Sequence, residues 1–259
     1  MKLQTLNVAL VQTSLIWENP KANRDHFSKK IAALTKEVDL IVLPEMFTTG
    51  FTMNPQHIEG VEGQNTIQWL LQAAKNSGVA IMGSIPFFED GFYYNRLFFV
   101  QPDGTVSQYD KRHTFTLAGE DLVYKAGQSH LIVDYKGFRI NPMICYDLRF
   151  PVWARNIQDY DILIYVANWP TPRITAWDTL LKARAIENIA YCIGVNRCGQ
   201  DEAGYVYSGH SAVYDCLGEQ LVFSKEDTIL YASLDKAHIT TTRNKLKFLE
   251  DRDEFNLKL

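Results

Sequence analysis

Short apolar segments rich in Val, Ile and Leu recur along the whole chain and constrain its fold more than any other feature. Apolar runs that are this short and bounded by polar residues are typical of strands buried on both faces, because helices need longer runs. The predicted strands span residues 8–11, 40–43, 79–85, 96–100, 131–133, 140–144, 162–166, 191–195 and 229–234. These segments predict sheet structure that is covered on both sides.

Helical patterns lie between several of the predicted strands. The first begins at Asn19 and Pro20, a capping residue followed by proline at the first helical position, and the second ends at Gly78. A third follows Pro172 and carries its apolar side chains on one stripe. Strand and helix alternate in the first part of the chain and again within residues 140–195, so the fold class is predicted as α/β with mixed sheets.

The organisation of the chain predicts one domain spanning residues 1–259. Residues 93–109 have the pattern of a β-hairpin whose turn lies at residues 102–104. No Pro-, Gly- or Ser-rich linker and no repeat divides the sequence. Residues 235–259 mix basic and acidic side chains with scattered apolar ones, which predicts either an arm packed on another surface, such as a second subunit, or a solvated terminal strand.

The charge of the chain points to a small solute as its partner. There are 26 Lys and Arg against 30 Asp and Glu, which gives a net charge of -4, and no block of basic residues occurs. This balance disfavours binding to nucleic acid or to an anionic membrane. The sequence shows neither a secretory apolar stretch near its start nor a long apolar span, so a cytoplasmic location is expected.

Cysteine usage disfavours both a disulfide framework and a zinc site. The four cysteines contain no CxxC pair, so free thiols are expected and no metal is predicted. A metal site built from Cys192, Cys198, Cys216 and His210 is the alternative. We favour packing for these cysteines, because Cys192 lies within an apolar run and a free cysteine usually behaves as a small hydrophobe.

Three polar residues directly follow predicted strands. Glu45, Cys145 and Asn168 each occupy this position, and Lys111 comes just after the second strand of the hairpin. Taken singly, each has an ordinary explanation as a turn residue, a surface charge or an inert thiol. Together they indicate a site, because open α/β sheets bind their ligands at the carboxyl ends of the strands.

The segments around these residues resemble the nitrilase, or carbon-nitrogen hydrolase, superfamily. Leu-Pro-Glu at 43–45, Tyr-Asp-Lys-Arg-His at 109–113 and Ile-Cys-Tyr-Asp-Leu-Arg-Phe-Pro at 144–151 are similar to its three signature segments and occur in the same order. Further matching segments lie at 167–170, 183–188 and 208–211. The similarity extends from Val8 to the region of Arg252.

The resemblance implies a fold and a catalytic triad. The fold would be a four-layer αββα sandwich of two mixed sheets, with two copies of the chain forming a homodimer. The triad would consist of Glu45, Lys111 and Cys145, and a second glutamate ahead of the nucleophile would be Glu120. Its neighbour Asp121 is the alternative for this last position.

These groups meet the chemical needs of amide hydrolysis. A thiol is only slightly ionised at neutral pH, so Cys145 needs a base, which Glu45 provides, or a neighbouring cation, which Lys111 provides. The Lys111 ammonium and the backbone N–H of Tyr146 would stabilise the oxyanion. Glu45 would then protonate the leaving nitrogen, which leaves a thioester on Cys145 and requires no metal or organic cofactor.

The residues after the nucleophile resemble those of amidases, in particular bacterial ω-amidases, rather than true nitrilases, which carry Cys-Trp-Glu. The resemblance implies hydrolysis of the terminal amide of 2-oxoglutaramate and 2-oxosuccinamate. Arg173 is the candidate partner of the substrate carboxylate, with Asn168, Trp169 and Phe115 beside it, although Arg173 also fits a surface position at a helix start. The alternatives are a related hydrolase of aliphatic or carbamoyl amides and a catalytically silent binding protein.

Two charged residues close to the nucleophile are expected to brace it. Asp147 and Arg149 are predicted to form a local ion pair that stabilises the turn after Cys145. His113 is predicted to have a structural hydrogen-bonding role, since the triad already contains a base. Bracing matters because a misplaced nucleophile loses rate.

Overall fold

A computed structural model describes residues 4–257, which contain fourteen β-strands and six α-helices. The strands are β1 (Thr5–Gln12), β2 (Leu40–Val42), β3 (Ala80–Glu89), β4 (Phe92–Val100), β5 (Val106–Asp110), β6 (Val133–Tyr135), β7 (Phe138–Ile144), β8 (Ile162–Ala167), β9 (Tyr191–Asn196), β10 (Cys198–Gln200), β11 (Val206–Ser208), β12 (Ser211–Tyr214), β13 (Gln220–Ser224) and β14 (Thr228–Asp235). The helices are α1 (Pro20–Ala32), α2 (Glu62–Ser77), α3 (Glu120–Val123), α4 (Pro151–Ala154), α5 (Ile174–Asn188) and α6 (Lys236–Leu246).

The strands form two six-stranded mixed sheets and one small two-stranded sheet. The first sheet has the order β14-β1-β2-β3-β4-β5, with β1, β2 and β3 parallel and the remaining neighbours antiparallel. The second has the order β13-β12-β9-β8-β7-β6, with β7, β8 and β9 parallel. Each sheet therefore has a parallel centre whose strands end at the same edge.

The two sheets pack face to face, and the alternation of side chains along each strand builds the layers. Val8 and Leu10 of β1 point into a core that also contains Ile140 of the second sheet. Ala9 of β1 lies on the opposite face, in a second core shared with Phe27 of α1. Helices thus cover the outer faces of both sheets, which confirms the predicted four-layer sandwich.

A glycine in β9 brings helix α5 close to the second sheet. Trp177 and Leu181 of α5 are buried against Gly194, where an added Cβ would collide with both side chains. Helix α6 packs nearby, and its Arg243 side chain donates to the carbonyl oxygen of Ile189 at 2.9 Å. The outer layer of this sheet therefore combines central and C-terminal parts of the chain.

The predicted helix boundaries agree with the structure. Asn19 accepts a hydrogen bond from the Ala22 N–H at 3.0 Å, and α2 ends at Gly78 with a left-handed φ of 68°. None of the helices within residues 4–257 combines the length and the apolar character that crossing a bilayer requires.

The C-terminal segment differs from its predicted form. After β14, Asp235 caps helix α6 by accepting from the Ala237 N–H at 2.8 Å, and residues 252–257 continue without regular structure. The pattern of scattered apolar residues did not predict this helix, because only one narrow side of it, including Ile239, is buried. The last two residues of the predicted arm and the first three of the predicted domain lie outside the described residues.

Candidate active site

The strand ends bring together all four polar residues that the sequence singled out. Glu45 follows β2 and Lys111 follows β5 of the first sheet, whereas Cys145 follows β7 and Asn168 follows β8 of the second. Because the two sheets pack face to face, residues from both of them meet at one site.

Lys111 is the centre of a buried ion-pair cluster. Its Nζ lies 2.9 Å from Glu45 Oε1 and 2.8 Å from Glu120 Oε2, and all three side chains are essentially inaccessible to solvent. Asp121 is exposed, so of the two alternatives it is Glu120 that contacts the lysine. Burial alone would lower the pKa of Lys111, but the carboxylates of Glu120 and Glu45 outweigh it and raise this pKa above its ordinary value. The lysine is therefore an ammonium ion.

Glu120 has more hydrogen bonds than this ion pair alone. Its Oε2 also accepts from the backbone N–H of Phe115 at 2.6 Å, and its Oε1 accepts from Asn95 Nδ2 at 3.1 Å. Burial nevertheless raises the pKa of Glu120, and the Lys111 ammonium offsets only part of that rise. Removal from water thus outweighs ion pairing at this carboxyl group.

Glu45 is fixed by donors from both sheets. Asn95 Nδ2 of β4 donates to its Oε1 at 2.8 Å, and the backbone N–H of Asn168 donates to its Oε2 at 2.8 Å. The Asn168 side chain also donates to the Glu45 carbonyl oxygen at 2.6 Å. The next residue, Met46, has a left-handed φ of 43°, and its N–H donates to Ser84 Oγ. The carboxylate therefore has one defined orientation.

Cys145 stands at a strained backbone position. Its φ is 43°, and it begins a 3₁₀-helix, Cys145–Arg149, in which Tyr146 is the second residue. Non-glycine residues adopt this conformation rarely, and strained backbone positions cluster at functional sites. Burial and the Glu45 carboxylate raise the pKa of the Cys145 thiol well above its ordinary value, against the opposing effect of Lys111. The resting group is therefore a thiol rather than a thiolate.

Asp147 braces the nucleophile turn, but not through the predicted partner. Its carboxylate accepts from Tyr109 Oη at 2.8 Å, from the His113 N–H at 2.9 Å and from the Ile144 N–H at 3.1 Å, and the His113 ring Nδ1 lies 2.7 Å away. The predicted ion pair with Arg149 is wrong, because Asp147 is fully buried behind the turn whereas Arg149 lies at the cavity. The contacts of His113 agree with the predicted structural role.

The cluster opens into a cavity of about 130 Å³ whose lining includes six aromatic side chains. The aromatic residues are Phe51, Phe115, Tyr146, Trp169, Tyr205 and Tyr207. Lys111, Cys145, Asn168 and Arg173 also border the cavity, so all the predicted substrate-contact residues lie at it. Arg149 borders it as well.

Sequence reasoning missed three kinds of residue at this site. Asn95 is buried between the two glutamates, and its only signal is a polar side chain inside an aromatic-rich strand. Arg149 was assigned to an ion pair. Tyr205 and Tyr207 come from the β10–β11 hairpin, which is too short and too exposed to have an apolar signature. Within residues 4–257, no group of three or more His, Cys, Asp or Glu side chains is arranged to hold a metal ion.

Comparison with known proteins identifies the family. Residues 7–244 match the model of the carbon-nitrogen hydrolase family. Omega-amidase YafV of Escherichia coli strain K12 is 43% identical over 254 residues, which cover 97% of this chain and 98% of that protein. The 2-oxoglutaramate amidase of Bacillus subtilis strain 168 is 30% identical over 250 residues, covering 94% of this chain and 96% of that protein.

A solved structure shows the same architecture. XC1258 from Xanthomonas campestris, a CN-hydrolase superfamily protein with an arsenic adduct in its active site, superposes with a TM-score of 0.95 and 39% identity. The superposition covers 98% of this chain and 99% of that one. Together with the strand-end cluster and the four-layer sandwich, these matches establish that the chain belongs to the carbon-nitrogen hydrolase family.

Proposed function

We propose that this protein is an ω-amidase, which hydrolyses the terminal amide of small dicarboxylate monoamides such as 2-oxoglutaramate and 2-oxosuccinamate to the acid and ammonia. The observation that carries the proposal is the Lys111 ammonium held between Glu45 and Glu120 at the cavity that also contains Cys145. The names of the relatives from Escherichia coli and Bacillus subtilis support the same activity.

In the first half-reaction, Cys145 attacks the amide carbon while Glu45 takes the thiol proton. A general base is needed because the raised pKa of Cys145 leaves little preformed thiolate. The negative charge moves to the carbonyl oxygen, which the Lys111 ammonium and the Tyr146 backbone N–H stabilise. Loss of a single donor of this kind typically costs about 10²- to 10³-fold in rate.

Collapse of the tetrahedral intermediate releases ammonia. Glu45, now protonated, gives its proton to the leaving nitrogen as the C–N bond breaks, and a thioester remains on Cys145. In the second half-reaction, Glu45 accepts a proton from water as the water attacks the thioester, and the thiol leaves with that proton. The acid product is released, and the enzyme returns to its starting state.

Glu120 and Asn168 act beside the triad in this proposal. Glu120 holds the Lys111 ammonium at 2.8 Å and so fixes the cation that faces the oxyanion. The side-chain oxygen of Asn168 is buried and has no hydrogen-bond partner among residues 4–257, and the residue borders the cavity. We assign this oxygen to accept a hydrogen bond from the substrate amide N–H₂.

The proposal is tested by incubating the purified protein with 2-oxoglutaramate and a panel of neutral and carbamoyl amides, with ammonia release as the measurement. Rapid quench and intact-mass analysis of wild type and Cys145→Ala then look for the acyl group on the enzyme. We expect ammonia from 2-oxoglutaramate and a substrate-sized mass increment in the wild type alone. Ammonia only from other amides would replace the ω-amidase assignment with a related hydrolase, and no release at all would favour a silent binding protein.

The same proposal extends to the assembly and location of the chain. We propose one domain over residues 1–259, because β14 from the C-terminal part pairs with β1 and makes the first sheet continuous.

A homodimer is supported by exposed apolar side chains at Ile186, Leu217 and Leu221, and light scattering tests it. A cytoplasmic location is supported by the need to keep the Cys145 thiol reduced.

A further inference from the structure

Two guanidinium groups border the cavity without a counter-charge. Arg149 lies over the Trp169 ring at 4.8 Å, and Arg173 lies over the Phe115 ring at 5.1 Å. Among residues 4–257, neither guanidinium has a carboxylate oxygen within 4.0 Å. Each therefore keeps its charge and its fork of donors available to a ligand that enters the cavity.

Among residues 4–257, two of the three buried arginines have a carboxylate partner. Arg96 pairs with Asp110 at 2.6 Å and with Glu89, and Arg184 pairs with Glu187 at 2.8 Å. The third, Arg197, lies over the Tyr207 ring and donates to the backbone carbonyl oxygens of Leu15, Cys198 and Gln200. The two cavity arginines share the aromatic contact of Arg197, but among residues 4–257 their guanidinium groups have neither a carboxylate nor a carbonyl acceptor, so the edge of each stays open.

Arg149 has a special position relative to the nucleophile. It is the last residue of the 3₁₀-helix that begins with Cys145. A rise of about 2 Å per residue separates the two Cα atoms by roughly 8 Å along the helix axis. The turn is braced by Asp147, whose carboxylate accepts from Tyr109, His113 and Ile144. The Cα atoms of the nucleophile and of Arg149 are therefore held at a fixed spacing.

The charges of the site select one orientation for the substrate. Near Cys145, two buried carboxyl groups, Glu45 and Glu120, face a single ammonium ion, so a third carboxylate is disfavoured there. A substrate with an amide at one end and a carboxylate at the other satisfies both regions only when its carboxylate is at the arginines. Arg and a carboxylate form charge-assisted pairs that are often bidentate.

We propose that Arg149 is the main carboxylate anchor of the substrate, with Arg173 as the second, and that the five-residue turn sets the length of the acids that react. This inference rests on the proposed ω-amidase function and names the residues that give that function its specificity. A carboxylate bound at Arg149 places the far amide carbon near Cys145 only for chains of suitable length. Arg149 is a binding residue here, and it takes no part in the proton transfers.

The test compares two substrates of equal chain length, glutaramate and pentanamide, which differ in the terminal carboxylate. Ammonia release gives kcat and KM for wild type, Arg149→Gln, Arg149→Lys and Arg173→Gln. Arg149→Gln is expected to raise KM for glutaramate by about 10- to 100-fold with a much smaller change in kcat, which is the usual cost of losing hydrogen bonds to a charged group. Arg173→Gln is expected to raise KM for glutaramate by about 3- to 10-fold.

The neutral substrate and a matched variant provide the controls. For pentanamide, kcat/KM of Arg149→Gln should stay within about threefold of the wild type, because this substrate offers the arginine nothing to bind. Arg149→Lys should recover part of the loss on glutaramate, since it keeps the charge but not the fork. Arg139→Gln removes a half-exposed arginine of β7 that pairs with Asp134, and it should change neither substrate.

Three outcomes overturn the inference. An equal loss on both substrates would show that Arg149 only supports the turn, and no loss on glutaramate would show that it binds no carboxylate. Calorimetry measures the binding of both amides, without turnover, to Cys145→Ala and to the double variant Cys145→Ala with Arg149→Gln. Equal weakening of both amides would again show that Arg149 only supports the turn. Failure of the ω-amidase proposal is distinguishable, because it appears in the wild type as absence of ammonia from dicarboxylate monoamides.

Discussion

The two ends of the cavity satisfy their charges in opposite ways. At the catalytic end, Glu45, Lys111 and Glu120 are fully buried and paired with one another within 3 Å. At the other end, Arg149 and Arg173 are partly exposed and lie on aromatic rings without a carboxylate partner among the described residues. One end is complete before a ligand arrives, whereas the other is completed by the ligand.

This difference separates chemistry from recognition. Buried charges that are satisfied within the protein are preorganised, and they change little when the substrate binds. Charges that are exposed to solvent exchange their water for a ligand when it binds, and so they contribute to affinity and specificity. Substitutions at the catalytic end should therefore reduce kcat for every amide, while substitutions at the arginine end should depend on the charge of the substrate.

The largest effect is expected from removing the base. Glu45→Gln leaves a neutral group that cannot take the thiol proton, so kcat should fall by about 10³-fold or more for glutaramate and pentanamide alike. Steady-state ammonia release measures this loss, and circular dichroism checks the fold. Glu59→Gln, at an exposed glutamate, is the matched control. A loss confined to the charged substrate would break the proposed separation of the two ends.

A smaller effect is expected from Glu120→Gln. The variant keeps the shape of the side chain but removes one of the two carboxylates that face Lys111, so the ammonium is held less firmly. We expect kcat to fall by about 10- to 100-fold on both substrates, as positioning effects of this kind do. Asp121→Asn, at the exposed neighbour, should have wild-type kinetics. Wild-type kcat in Glu120→Gln would mean that Glu45 alone positions the lysine.

The smallest effect concerns the pH dependence of Cys145 alkylation. The Glu45 carboxylate raises the pKa of this thiol, so its removal must lower that pKa and increase the thiolate fraction at a given pH. The midpoint of the iodoacetamide rate against pH should therefore lie at lower pH in Glu45→Gln than in the wild type. Peptide mass mapping follows Cys145 separately from Cys192, Cys198 and Cys216. An upward shift would contradict the assigned electrostatics.

Much of the site was predictable because strand ends are readable in a sequence. Glu45, Cys145 and Asn168 interrupt or follow apolar runs, and a polar residue at that position of an α/β sheet marks the ligand edge. Lys111 was singled out by its position after the hairpin, whereas the choice of Glu120 over Asp121 came from family resemblance, and the structure places Glu120 2.8 Å from the lysine. The hydrogen-bond and ion-pair partners of these residues were harder to predict from the sequence, as the wrong pairing of Asp147 with Arg149 illustrates.

The sequence by itself determined where strands, helices and the chemically active side chains occur, because these follow from local periodicity, capping and strand boundaries. Only the tertiary structure decided which groups satisfy one another. Asn168, which follows β8 of the second sheet, donates to Glu45 of the first because the two sheets pack face to face, and Asn95 of β4 donates to both Glu45 and Glu120. Hydrogen bonds and ion pairs of this kind depend on distances of a few ångströms between segments far apart in the chain, which no local pattern encodes.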